Sequence, residues 1–208
     1  DGAAGAPHRP YDVATNGADF YAFSGHKVLG PMGSGVLWGK KDVLENMPPF
    51  LYGGSMISRV SKERSEWAEV PQKFEAGTPN AADAVGLGTA IDYIEKIGFA
   101  AIEKHEAVLH KTAGDLLSDI PGVTLYGHAR KNRVPTFSFN VQGAHTHDVG
   151  SILDEEGIAV RSGHHCAQVL MQRLGIAGAT RASFYFYNTE KEAHRLADAV
   201  KKAKGVFA

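Results

Sequence analysis

Apolar residues fall along this chain in short blocks of differing period. Ala18-Asp19-Phe20-Tyr21-Ala22-Phe23 is short and aromatic, which predicts a buried strand ending at Ser24-Gly25-His26-Lys27. Turn chemistry follows from Val28 to Gly35, then a second short strand, Val36-Leu37-Trp38. Lys41 to Asn46 has room for one or two helical turns. Between Pro48 and Asn80 no period is legible, so this stretch reads as a long loop, of the kind that serves function or an interface. Asn80 can cap the next helix, with Asp83 in its first turn. That helix carries Val85, Ala90, Ile91 and Ile94 and stops at Gly98. A further helix runs from about Phe99 to Asp119, with Ile102, Leu109, Leu116 and Leu117 on related faces.

Pro121-Gly122 marks a sharp turn and a change of character. Strands are expected at Val123–Tyr126, Val134–Val141, Ile158–Arg161 and Arg181–Tyr187. Helices are expected at His147–Glu156, stopped by Gly157, and at Ala167–Leu174, stopped by Gly175. Thr189-x-x-Glu192 is a capping box opening a last helix that ends near Gly205. The alternation predicts a small α+β domain of about 85 residues.

Composition narrows the classes. A length of 208 residues suits one large domain or two small ones, and 43% apolar with 22% charged residues is ordinary for a globular chain. Lys+Arg at 22 against Asp+Glu at 23 leaves no excess of positive charge for a nucleic-acid backbone. No run approaches the roughly 18 apolar residues of a membrane span, and the chain does not open on a signal-peptide pattern. A single cysteine cannot form an internal disulfide and suits a reducing, cytoplasmic compartment.

Four groups could do chemistry. Lys27 stands just beyond an apolar strand, where sites of α/β sheets gather; it is either a surface lysine or an amine able to form a Schiff base. Ser24 and His26 beside it could hold a phosphate through a hydroxyl and a ring N–H. Asp1 is either a solvated charge or, at the end of a strand, a carboxylate facing a pyridine nitrogen. Cys166, in Arg161-Ser162-Gly163-His164-His165-Cys166-Ala167, is either a small buried hydrophobe or a reactive thiol beside histidines at a helix start. Arg181 opens a strand and is either a surface ion-pair partner or a two-pronged clamp for a carboxylate. His145, His147, His164, His165 and Cys166 are all potential zinc ligands. Three consecutive residues rarely converge on one ion, however, and no C-x-x-C or H-x-x-x-H spacing exists, so no metal site is assigned.

Taken together and in this order, these groups resemble the class V aminotransferase-like family of pyridoxal phosphate (PLP) enzymes, and within it the group II, SUF-type cysteine desulfurases. The carrying residues are Asp1-Gly2-Ala3, Phe23-Ser24-Gly25-His26-Lys27 with Gly30-Pro31, Gly53-Gly54-Ser55-Met56-Ile57, Phe74-Glu75-Ala76-Gly77-Thr78-Pro79-Asn80, Arg161 to Ala167, Arg181-Ala182-Ser183 and Tyr187-Asn188-Thr189. The stretch Gly163-His164-His165-Cys166-Ala167 is what separates group II from group I.

The resemblance implies an α/β, fold-type I PLP-dependent transferase: part of the large domain over residues 1–98, and a linking helix with the small α+β domain over 99–208. It implies that Lys27 carries the cofactor and shuttles protons, that Asp1 pairs with the ring nitrogen, and that Ser24 and His26 hold the phosphate. Thr78 would reach the phosphate of a second subunit's cofactor in a homodimer. Arg181, with Arg161, would bind the substrate carboxylate of L-cysteine, and Cys166 would take its sulfur for delivery to a SUF-type acceptor protein. A selenocysteine lyase would use the same residues. Another class V enzyme, such as an aminotransferase, would have no use for Cys166 in that setting. Two departures stand out. Ala4 occupies a position where the family usually has glutamine, and the chain looks like only the C-terminal half of such an enzyme. Alone, it is expected to bind PLP poorly or to act as a dimerisation or scaffold module.

Overall fold

The computed structural model describes residues 1–127 and 133–207, in two compact units, Asp1–Phe99 and Ala100–Ala208.

In the first unit, β1 (Phe20–Ser24) pairs antiparallel with β2 (Gly35–Gly39), from Phe20 opposite Gly39 to Ser24 opposite Gly35. The connection begins with a 3₁₀ turn, Gly25–Val28, that carries His26 and Lys27. Gly25 is closely packed there. Its N–H donates to Ser34 O at 2.8 Å, and a Cβ on it would lie 2.1 Å from Ser34 Oγ. Leu29 leaves the turn in left-handed backbone, φ 64°. The strand expected to be buried forms, but Phe20 and Ala22 are exposed. Among the described residues only β2 pairs along β1. The other contact to its backbone is the Gly2 N–H, which donates to Ala22 O at 2.7 Å.

The loop expected from Pro48 to Asn80 contains a hairpin. Strand β3 (Ile57–Val60) pairs antiparallel with β4 (Ser65–Trp67), and a 3₁₀ turn follows at Gln72–Phe74. Its strands, of four and three residues, are too short to show alternation, and local bonds hold it instead. Ser61 Oγ accepts the N–H groups of Glu63 and Arg64, and Ser61 N–H donates to Arg64 O at 2.9 Å.

Helix α1 (Lys41–Asn46) ends under Lys73. This buried ammonium donates to Glu45 O at 2.9 Å and to Leu44 O at 3.4 Å, and sits 5.6 Å from the Phe74 ring centre. It supplies the donors that the last carbonyls of a helix lack. Lys73→Met is expected to lower the stability of this unit by about 1–3 kcal/mol, the worth of hydrogen bonds from a charged donor. Trp38 and Trp67 both lie here, so a urea titration followed by tryptophan fluorescence reads it, and an unchanged midpoint refutes it.

Helix α2 (Ala81–Ile97) starts as expected: Asn80 Oδ1 accepts Asp83 N–H at 3.3 Å. It buries Leu87, Ala90 and Ile94, and ends at Gly98, φ 84°. Its N-terminal half packs on the β1–β2 connection: a Cβ on Gly86 would lie 2.7 Å from Pro31. The turn bearing Lys27 is therefore backed by a helix.

The second unit holds a four-stranded antiparallel sheet in the order β5-β6-β8-β7, with β5 Val123–Tyr126, β6 Thr136–Val141, β7 Arg161–Gly163 and β8 Ala179–Ser183. The strand expected at 158–161 starts only at Arg161, because Ile158 and Val160 pack on the core without a ladder. The strand expected at 181–187 is shifted to 179–183, in register with Arg161–Gly163. The helices are α3 (Phe99–Ser118), α4 (Thr146–Glu155), α5 (Gln168–Leu174) and α6 (Glu190–Val206); the capping box of Thr189 and Glu192 opens the last. Phe137, Phe139 and Val141 of β6 point into one core with Leu109, Ala113 and Leu117 of α3, Val149 and Leu153 of α4, and Leu196 and Val200 of α6. The helix read as a link thus supplies part of this core.

Period 2 turns the other residues of the sheet away from that core. Ser138 lies opposite Arg181, and Arg181 opposite Arg161, so all three share the polar face.

Candidate active site

The expected site residues fall into one group in each unit. In the first, Ser24 ends β1, His26 and Lys27 lie in the 3₁₀ turn that follows, and the Gly2 bond to Ala22 holds Asp1 beside the same strand. Gly2 is needed for this, since a Cβ on it would lie 2.2 Å from the Tyr21 ring. Asp1 Oδ1 accepts Ala3 N–H at 2.8 Å. Ser24 precedes the 3₁₀ turn but makes no capping bond with its hydroxyl. The exposed Lys27 amine has no hydrogen bond or ion pair among the described residues. Thr78 is exposed in the loop before α2, where Gly77 N–H donates to Gly54 O at 2.9 Å.

The second group surrounds Cys166. The cysteine is exposed and precedes Ala167, the cap residue of α5, so it stands before the helix rather than in its first turn. An Arg161 guanidinium N–H points at Cys166 Sγ, 3.5 Å away. A guanidinium is a weak partner for a thiol and a strong one for a sulfur anion. The loop backbone is unusual: Gly163 has φ 113°, His165 55° and Cys166 60°. Side chains rarely tolerate that left-handed region, and such residues gather at functional sites. Arg181 is half-buried, and its Nε–H has no partner among the described residues. Burial first, then the Arg161 charge, pushes its guanidinium below its ordinary value. Two cations facing one another across β7 and β8 are relieved by an anion, and a carboxylate matches the fork of a guanidinium.

His165 carries a contact that sequence reading missed. Its Nε2 lies 3.0 Å from Ala179 O on β8. Burial first, then the Arg181 charge, holds the ring below the usual histidine range. No group of three or more His, Cys, Asp and Glu among the described residues is arranged to hold a metal ion. No described helix is long and apolar enough to cross a membrane.

The sequence family described as aminotransferase class-V matches residues 1–196. The chain belongs to that family. A probable cysteine desulfurase of Staphylococcus epidermidis is 50% identical over 207 residues, which cover 100% of this chain and 50% of that protein. The chain therefore spans about half the length of the curated relatives it matches. Among solved structures, the cysteine desulfurase CsdA of Escherichia coli, in its S-sulfonic acid form, superposes with a TM-score of 0.94 at 40% identity. That match covers 100% of this chain and 51% of CsdA. The fold is thus the one seen in PLP-dependent cysteine desulfurases. A C-DES variant with glycine covalently linked to its PLP cofactor shares the fold alone, at a TM-score of 0.78 and 24% identity, over 95% of this chain and 49% of that one.

Proposed function

We propose that this chain supplies the lysine, the carboxylate clamp and the nucleophile of a PLP-dependent cysteine desulfurase. One observation carries the reading. The chain's only cysteine is exposed on a left-handed loop with the Arg161 guanidinium at its sulfur and Arg181 on the neighbouring strand. An aminotransferase needs the lysine and the carboxylate clamp but has no task for that thiol.

The donor set of the first unit fits PLP. Lys27 offers an unengaged amine to an aldehyde, the Ser24 hydroxyl and His26 ring offer donors to a phosphate, and Asp1 offers a carboxylate to a pyridine N–H. A bound cofactor would supply an electrophilic carbon for the substrate amine and an electron sink for the pair left when the α-proton departs. Lys27 receives and returns that proton. Asp1 would keep the ring nitrogen protonated. Arg181, with Arg161 beside it, orients the substrate carboxylate by charge-assisted bonds. Cys166 attacks the sulfur of L-cysteine. A sulfur–sulfur bond forms, the substrate Cβ–S bond breaks, Cβ takes a proton and L-alanine leaves. The product on the protein is a persulfide at Cys166.

Three further assignments belong to this reading. Gly163-His164-His165-Cys166-Ala167 supports a group II enzyme, which hands its sulfur to a SUF-type acceptor for iron–sulfur cluster assembly. Thr78, exposed in its loop, serves the cofactor phosphate of a second subunit in a homodimer. A persulfide carrier with one cysteine suits the reducing cytoplasm. Incubating the protein that carries this chain with L-cysteine is expected to release alanine and to leave the Cys166 peptide one sulfur atom heavier. Alanine release without that added mass removes the nucleophile from the proposal.

A further inference from the structure

We propose that His165 is a positioning residue that staples the Cys166 loop to strand β8 and so holds the cysteine sulfur against Arg161. The inference rests on reading Cys166 as the nucleophile, but its geometry stands apart from that reading.

Consecutive left-handed residues with side chains persist only where their surroundings over-determine them. His165 and Cys166 are such a pair, with φ 55° and 60°. Two contacts tie their loop to the start of β8 and the residue before it. One is the His165 ring on Ala179 O, at 3.0 Å. The other is a close approach of two backbones, since a Cβ on Gly178 would lie 3.0 Å from the Gly163 carbonyl. Within the loop, Ala167 N–H donates to His164 O at 2.8 Å and closes the turn on which Cys166 sits. The loop is therefore tied down at Gly178 and Ala179, where β8 begins, and Cys166 is left where Arg161 reaches its sulfur.

The chemistry of the ring fits a staple. A carbonyl only accepts, so Nε2 carries the hydrogen and donates it to Ala179. Nδ1 is buried with no hydrogen-bond partner among the described residues. The charges around the ring are Arg181 on β8, Arg161 on β7 and His164 in the loop, and with burial they disfavour a second proton. The ring is thus neutral at neutral pH, in one tautomer, with one bond to make.

The test needs neither cofactor nor substrate. The alkylation rate of Cys166 by iodoacetamide is followed by peptide mass at neutral pH in the protein that carries this chain. His165→Leu removes the donor and is expected to slow alkylation by about threefold or more, because the sulfur leaves its cation. In His165→Gln an amide nitrogen reaches as far as Nε2, and the rate is expected back within about twofold of wild type. In an Arg161→Leu background, His165→Leu is expected to add almost nothing, since both act through one contact. An unchanged or faster rate in His165→Leu, no rescue by glutamine, or two effects that multiply in the double variant overturns the staple. Should His165→Leu fail to fold, Gly178→Ala carries the test: it pushes the loop from β8 with the histidine intact, and an unchanged rate overturns the proposal. Alanine release is measured alongside. Its absence from the wild-type protein defeats the desulfurase reading while leaving the alkylation result to judge the staple.

Discussion

Cys166→Ser is expected to cut alanine release from L-cysteine by on the order of 10³-fold or more, the scale of losing a covalent nucleophile. Serine keeps the size and the exposure but not the sulfur. The hydroxyl is far less nucleophilic near neutral pH, and among the described residues the hydrogen-bond partner at this position is the Arg161 guanidinium, which cannot act as a base. Binding should survive. Arg181 and the first-unit residues are untouched, so the substrate should still be taken up, and the loss should fall on kcat with KM held within a few-fold. The same variant separates two activities. A carbon–selenium bond breaks more readily than carbon–sulfur, so selenocysteine turnover should drop less than cysteine turnover. A Cys166→Ser protein that releases alanine from cysteine at the wild-type rate ends the assignment of this residue, whatever the family.

Local rules were readable in the chain, and long-range ones were not. Asn80 and Thr189 cap helices because a short polar side chain and a nearby backbone N–H suffice, and both bonds form. The hairpin at 57–67 is not legible in the sequence because Ser61 and its turn hold it, while its strands of four and three residues are too short to show alternation. β8 lies two residues earlier than alternation predicts, for a related reason. Arg181–Tyr187 alternates well, but pairing with Arg161–Gly163 selects the residues before it. The site divides the same way. Lys27, Cys166 and Arg181 stand out as candidates by their residue types and neighbours alone. The contact between Arg161 and Cys166 does not, since it depends on the β7–β8 register and on left-handed backbone at two residues that are not glycine. The staple by His165 was hidden for the same cause. A histidine beside a cysteine reads as a candidate base or ligand, and only the fold directs its ring at a strand carbonyl.

Lys27→Arg is expected to abolish turnover, again by on the order of 10³-fold or more, while keeping the positive charge at that position. The argument separates two jobs that one ammonium could do. As a charge, Lys27 would help hold a phosphate together with Ser24 and His26, and a guanidinium does that at least as well. As a nucleophile and proton carrier, it must shed a proton near neutral pH, which a guanidinium does not do. The surroundings suit the second job. The 3₁₀ turn is braced by Gly25 against Ser34, and the connection it opens is backed by α2, so the backbone under Lys27 is held, yet no carboxylate or carbonyl among the described residues engages its amine. A lysine kept only for charge gains nothing from that arrangement. The measurement is paired: cofactor retained after gel filtration, and the visible absorption band that a lysine-linked pyridoxal gives. Lys27→Arg should retain cofactor to within a few-fold and lose the band, whereas Lys27→Ala should lose the band and more of the cofactor. A Lys27→Arg protein that keeps both the band and alanine release would show that the covalent partner is another amine, and the first-unit site would have to be rebuilt around it.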